Sequence, residues 1–150
     1  MLDILAWFMI HMTISLAMMR VPDDYYHRPH RWFDSCEWEN EGLIWQDLFH
    51  IRKWKKHLPD SSSFIKSAYD LTNLHGLNLS SMEKIILETK RAEHTHWLSI
   101  PPALLFFIWN PPWAGMIMIV YALLMNLPFI IVQRYNRPRL MRVYERMKRK

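Results

Sequence analysis

The chain reads as an all-α integral membrane protein, with about three transmembrane helices, an interfacial amphipathic helix and a cytoplasmic loop region. Three observations lead there. Two apolar stretches, Leu2 to Met19 and His96 to Gln133, are long enough to cross a bilayer, the second of them twice. All nineteen Lys and Arg lie in two blocks, Arg20 to Arg91 and Arg134 to Lys150, the segregation that the positive-inside rule produces. Eight Trp, six Tyr and seven Phe are many for 150 residues, and Trp109 and Trp113 sit at the ends of apolar arms, where indoles suit the headgroup level.

The elements follow in order, within one membrane domain covering residues 1–150. Leu2 to Met19 is the first span, retained rather than cleaved because it lacks a basic start and a small-residue cleavage site. His11 within it is expected to be a tolerated polar residue facing another helix. Residues 20–95 form a cytoplasmic segment. In it, Gly42 to Leu58 carries Ile44, Trp45, Leu48, Phe49 and Ile51 at roughly helical spacing and ends in basic residues. That pattern suits a helix lying along the membrane surface or packed within a small subdomain. Leu58 to Ser63 and Asn73 to Ser81 read as loops. Ser80, with Glu83 three residues on, reads as the N-cap of a helix running through "TKRAEHTHW" toward the bilayer.

The second apolar region divides at "NPPW", Asn110 to Trp113, because two prolines cannot continue a helix interior. It gives spans over 96–110 and 113–133, kinked at Pro101, Pro102 and Pro128, and a cytoplasmic tail over 134–150. The charge bias places the N-terminus and the NPPW turn outside a bacterial cell membrane and the C-terminus in the cytoplasm. A single Cys, Cys36, excludes an intrachain disulfide framework and makes a thiolate metal cluster a poor reading. The net charge of +5 is no argument for nucleic acid, since its distribution follows the membrane pattern.

The stretch "ETKRAEHTHW" carries charge to the edge of an apolar run, where ionisable groups are expensive and tend to be functional. Glu93 and His96 are three apart on one helical face, as are Glu88 and Arg91. A carboxylate beside an imidazole suits a histidine general base. The plainer reading is an interfacial helix whose charges pair and snorkel. Glu-x-x-His also occurs in di-iron sites, but there it is needed twice with two further carboxylates, so no metal is expected. Arg134, Arg137 and Arg139 with Asn136, in "QRYNRPRL", suit a phosphate or a plain stop-transfer anchor, and "RKWKK" from Arg52 to Lys56 poses the same choice.

With those motifs in view, the sequence resembles the glycosyl-4,4'-diaponeurosporenoate acyltransferases, small bacterial membrane proteins of carotenoid pigment synthesis. The matching residues are "RVPDDYY", "RKWKKHLPD", "ETKRAEHTHW", "WNPPW" and "NLPFIIVQRYNRPRL", in the family's order and spanning roughly Arg20 to Leu140. The resemblance implies transfer of a fatty acyl group from an activated thioester, an acyl coenzyme A or acyl carrier, to a sugar hydroxyl of a glycosylated carotenoid or related lipid, with no bound cofactor. The motif positions that it carries over include Arg52, Lys55, Asp60, Glu88, Arg91, Glu93, His96, Trp97, Asn126, Gln133, Arg134, Tyr135, Asn136, Arg137 and Arg139.

On that footing His96 is expected to be the base, oriented by Glu93. Arg91, Asn136 or Arg137 are expected to face the oxyanion, and Lys55, Arg134 and Arg139 to hold the donor phosphates. Arg52, Asp60, Glu88, Trp97 and Tyr135 complete the expected substrate-binding set. Expected partners are membrane lipids, the glycosylated acceptor, the acyl donor and, to cover exposed helix faces, a second copy of the chain. The reading from another class is a non-catalytic lipid-binding or scaffold subunit of a membrane biosynthetic complex.

Overall fold

The computed structural model describes residues 2–28, 32–34, 36–55 and 78–149. Among these the regular elements are all helical. They are α1 (Leu2–Met19), α2 (Asp23–His27), a 3-10 turn (Glu37–Gly42), α3 (Leu43–Phe49), α4 (Ile51–Trp54), α5 (Leu79–Leu98), a 3-10 helix (Pro101–Ile108) and α6 (Pro112–Lys148). Two helices, α1 and α6, are long and apolar enough to cross a membrane. The expected loop over Leu58 to Ser63 lies outside the described residues, as does most of Asn73 to Ser81.

The chain divides into two compact units, one of residues 1–28 and 91–130, the other of 29–90 and 131–150. In the first unit, Trp7 of α1, Ala103 and Phe106 of the 3-10 helix and Ala122 of α6 form one buried cluster, with Ile10, Met118 and Ile119 against it. Trp7 stacks on Phe106, their ring centroids 4.8 Å apart. Outside that seam, Ile4, Leu5, Phe8, Leu104, Ile108, Ile117, Val120 and Leu124 are exposed, the apolar surface a helix presents to lipid.

Polar contacts hold α1 at both ends. Asp3 Oδ1 accepts from Trp109 Nε1 at 2.8 Å and from Asn110 Nδ2 at 2.9 Å, tying the start of α1 to the NPPW turn. Past its other end, Arg91 donates to the Val21 carbonyl at 3.3 Å and pairs with Asp23. The stretch from Arg91 to Asn110 thus runs alongside α1 over its whole length.

That stretch, expected as a span kinked at Pro101 and Pro102, changes helix type there. The α-helical ladder ends at Leu98, because Pro101 and Pro102 lack the N–H groups to continue it. A 3-10 helix follows, with proline in its first positions. At about 2.0 Å rise per residue it covers more depth for its length than an α-helix does. Gly115 lets the arm close on α6, since a Cβ there would stand 2.6 Å from the Phe107 ring. Beyond the turn, α6 runs unbroken from Pro112 to Lys148, so the tail expected after Gln133 continues the same helix.

In the second unit the expected amphipathic helix over 42–58 is broken. His50 adopts φ +50°, ending α3 and starting α4. The break turns Ile51 inward onto Val132 and Tyr135, with Trp45, Trp54 and Ile131 around them, while Leu48 and Phe49 stay exposed. Gly42 makes the close approach possible. It sits at φ +81°, and a Cβ there would lie 2.8 Å from the Arg134 carbonyl oxygen. A second cluster joins Met82, Ile85 and Ile86 of α5 to Leu140 of α6. The cap of α5 is Asn78 rather than Ser80, since Asn78 Oδ1 accepts from the Ser81 N–H at 2.8 Å and the Ser80 hydroxyl at 2.9 Å. The helix begins at Leu79, inside the stretch expected to be loop.

Candidate functional site

In the first unit, α5 and α6 bring His96 against Asn126, with His96 Nδ1 2.9 Å from Asn126 Oδ1. Asn126 Nδ2 donates to the Ala122 carbonyl one turn earlier, at 2.8 Å. A carbonyl oxygen only accepts, so the amide nitrogen must face Ala122 and the amide oxygen must face the imidazole. His96 Nδ1 therefore carries the proton and Nε2 keeps its lone pair, the tautomer of a base. The Phe129 ring lies almost parallel to the imidazole, with centroids 4.6 Å apart and an interplanar angle of 9°. One element supplies both supports, because Asn126 and Phe129 are three apart on α6 and share a face. His11 of α1 lies within electrostatic range of His96 and stacks on Trp7.

Asn126, not Glu93, thus makes the hydrogen bond that sets the imidazole. Glu93 is wholly buried and accepts from Trp97 Nε1 at 3.3 Å, one turn along α5. Arg91 is held by Asp23 and Val21 and lies against the Tyr26 ring. Sequence reasoning passed over Tyr26 and His94. The Tyr26 hydroxyl is 3.3 Å from His94 Nδ1, and Tyr25 stacks on the same imidazole. The dense "HTH" of the stretch was a signal for His94, and "RVPDDYY" contains Tyr26 without giving it a role.

The second unit sorts the expected cations into two groups. Arg134 and Arg137 are committed to packing. Arg134 Nη1 meets both oxygens of Glu39 at 3.1 Å, and its Nη2 donates to the Trp32 carbonyl at 3.0 Å. Glu39, 1% exposed, also accepts from the Cys36 N–H and Trp45 Nε1. Arg137, 3% exposed, donates from Nε and Nη2 to the Thr89 hydroxyl and carbonyl and from Nη1 to the Phe33 carbonyl. Thr89 stands within "ETKRAEHTHW" but was given no role there, and Glu39 stands in no motif that sequence reasoning singled out.

The other group gathers on Tyr135 and Asn136. Arg52 Nε donates to the Tyr135 hydroxyl at 3.0 Å, and the Arg139 guanidinium lies 3.6 Å above the Tyr135 ring. Lys55 Nζ donates to Asn136 Oδ1 at 3.3 Å and stands 5.3 Å from the ring centroid. Burial, then the Arg139 and Arg52 charges, pull the Lys55 ammonium pKa below its ordinary value. The remaining amide nitrogen of Asn136 donates to the Val132 carbonyl. Glu88 is half-buried on α5, and Asp60 lies outside the described residues.

The model of the glycosyl-4,4'-diaponeurosporenoate acyltransferases matches residues 29–146. Relatives from Staphylococcus aureus strains MRSA252, bovine RF122 / ET3-1 and Newman bear that same name. Each is 40% identical over 144 residues, covering 96% of this chain and 87% of the relative. No solved structure matches. The matched region contains the whole α5 stretch with Glu93 and His96 and the cation group around Tyr135, and on that match the chain belongs to the glycosyl-4,4'-diaponeurosporenoate acyltransferase family.

Proposed function

We propose that the chain is a membrane acyltransferase, moving a fatty acyl group from an activated thioester to a sugar hydroxyl of a glycosylated carotenoid acid. The class of reaction and acceptor comes from the family and the names of its members. The observation that carries the catalytic reading is the His96–Asn126 hydrogen bond, which leaves Nε2 basic. In the proposed step Nε2 takes the proton from the sugar hydroxyl as the oxygen attacks the thioester carbonyl. The tetrahedral intermediate then collapses, the C–S bond breaks, and the imidazolium returns its proton to the departing thiolate. No covalent intermediate with the protein is required.

Asn126 takes the orienting role first given to Glu93, and Phe129 fixes the plane of the ring. Glu93 and Trp97 support the turn of α5 from which His96 projects. Arg137 and Asn136 give donors to Thr89, Phe33 and Val132 and belong to the second unit; Arg91, in the same unit as His96, is kept as the candidate oxyanion donor although it also meets Val21 and Asp23.

Three membrane crossings accompany this reading: α1, the stretch from Arg91 to Asn110, and the first half of α6. The contacts at both ends of α1 support the second crossing. Eight residues of α-helix at about 1.5 Å rise and eight of 3-10 helix at about 2.0 Å approach the depth of α1. The charge bias puts the N-terminus outside and the C-terminus inside.

The test is lipid mass spectrometry on a host that makes glycosylated carotenoid acid, expressing the native chain or His96→Ala at equal abundance. A product heavier by one fatty acyl group with the native chain alone supports the reading. Acylation with both moves the base away from His96. Acylation with neither favours a scaffold role.

A further inference from the structure

The cations of the second unit differ in what meets them. Arg134 has a buried carboxylate, and Arg137 is enclosed by Thr89 and Phe33. Arg52 and Arg139 have neither arrangement. Among the described residues they meet no carboxylate; their side chains contact the hydroxyl, ring and backbone carbonyl of Tyr135. Lys55 joins them through Asn136 and the same ring. Three like charges on one buried tyrosine repel one another, and the Lys55 ammonium is acidified first by burial and then by the Arg139 and Arg52 charges. One turn before Asn136 and Arg137, Gln133 is 4% exposed, and among the described residues its Oε1 meets no hydrogen-bond donor. A buried acceptor left unmet is itself costly.

We propose that Arg52, Lys55 and Arg139, arranged around Tyr135, form a binding site for a ligand carrying several phosphate charges, of the class of the nucleotide end of coenzyme A. This deepens the acyl-transfer reading and rests on it for the ligand's identity. The charge count selects among donors. A carrier-bound phosphopantetheine brings one phosphodiester, whereas coenzyme A adds a diphosphate and a 3'-phosphate for two guanidiniums and an ammonium to meet. The site differs from the one expected from sequence in losing Arg134 to the fold and gaining Arg52.

The experiment uses the full chain in phosphatidylcholine nanodiscs, titrated with coenzyme A and separately with 4'-phosphopantetheine. Coenzyme A should bind more than about tenfold more tightly, and Arg52→Gln and Arg139→Gln should each weaken it about tenfold. Arg146→Gln, which removes an equal charge from an exposed position further along α6, should leave affinity within about twofold. Should Arg139→Gln fail to fold, the exposed Arg52 carries the same test. Equal affinity for the two ligands, or coenzyme A binding indifferent to Arg52→Gln, overturns the proposal. So does an absence of coenzyme A binding combined with stabilisation by phosphatidylglycerol that Arg52→Gln abolishes, which would make the cluster a lipid headgroup site. His96→Ala should bind coenzyme A as the native chain does. Binding as expected without acylation by the native chain would remove the catalytic reading and leave this site standing.

Discussion

His96 Nδ1 lies 2.9 Å from the side-chain oxygen of Asn126, and the Ala122 carbonyl holds that amide in the only orientation that makes the histidine a donor there. A histidine near lipid acquires in this way a defined tautomer from an amide.

Asn126→Ala should therefore cost acyl transfer roughly 10²-fold in kcat, because a freely turning imidazole is misplaced for proton transfer. KM for the acceptor should change little, and the protein should stay folded. Steady-state kinetics on the purified variant checks this. A kcat within twofold of native would return the orienting role to another residue.

Arg134→Lys keeps the charge at the end of the apolar part of α6 but removes the fork that reaches Glu39 and Trp32. Loss of those contacts should lower stability by about 1–3 kcal/mol, read as a lower thermal midpoint in detergent. Coenzyme A affinity of the folded fraction should stay near native. A selective loss of affinity with unchanged stability would restore Arg134 to the donor site.

Gly42→Ala tests the approach of the 3-10 turn to α6. The new Cβ would meet the Arg134 carbonyl oxygen at 2.8 Å in a backbone region that L residues disfavour. A loss of about 1–3 kcal/mol is expected, again by thermal unfolding.

Lys55 gives a pH dependence of definite sign. Its pKa in the folded protein is below the ordinary 10.5. Between the lowered value and 10.5 the unfolded chain holds more protons than the folded one, so stability rises with pH in that window and is flat below it. The native thermal midpoint should gain on that of Lys55→Met as pH climbs toward the ordinary lysine value. A bound polyphosphate should shrink the gain, because it favours the charged amine.

The fold was legible where one force dominates. Apolar length, the NPPW break and the Lys/Arg bias marked α1, the turn and α6, since in lipid the backbone has few alternatives to a helix. Of the breaks at Ser99–Ile100 and His50, the first was legible only as a kink at Pro101 and Pro102, and the second was not legible. The first is a proline effect whose outcome, a 3-10 arm, depends on packing against Trp7 and Gly115. The second needs a left-handed histidine that turns Ile51 toward Tyr135.

At the candidate site, the motifs pointed to His96 and the cations, and the structure adds partners that the motifs did not name. His96 stood out by its neighbours along the chain, but Asn126 is thirty residues away. Arg134 and Arg139 are five apart with the same side chain, yet Arg134 meets the buried Glu39 and the Trp32 carbonyl while Arg139 lies on the Tyr135 ring. Spacing reports which face a residue shares; it does not report what comes to meet it.

The most direct test of the central claim is turnover by the purified chain alone, reconstituted in vesicles with an acyl coenzyme A and the glycosylated acceptor, beside His96→Ala. The account predicts acylated product from the native chain and a rate lower by roughly 10²–10⁴-fold in the variant. Equal rates from the two, or no product from the native chain while coenzyme A still binds, would contradict it.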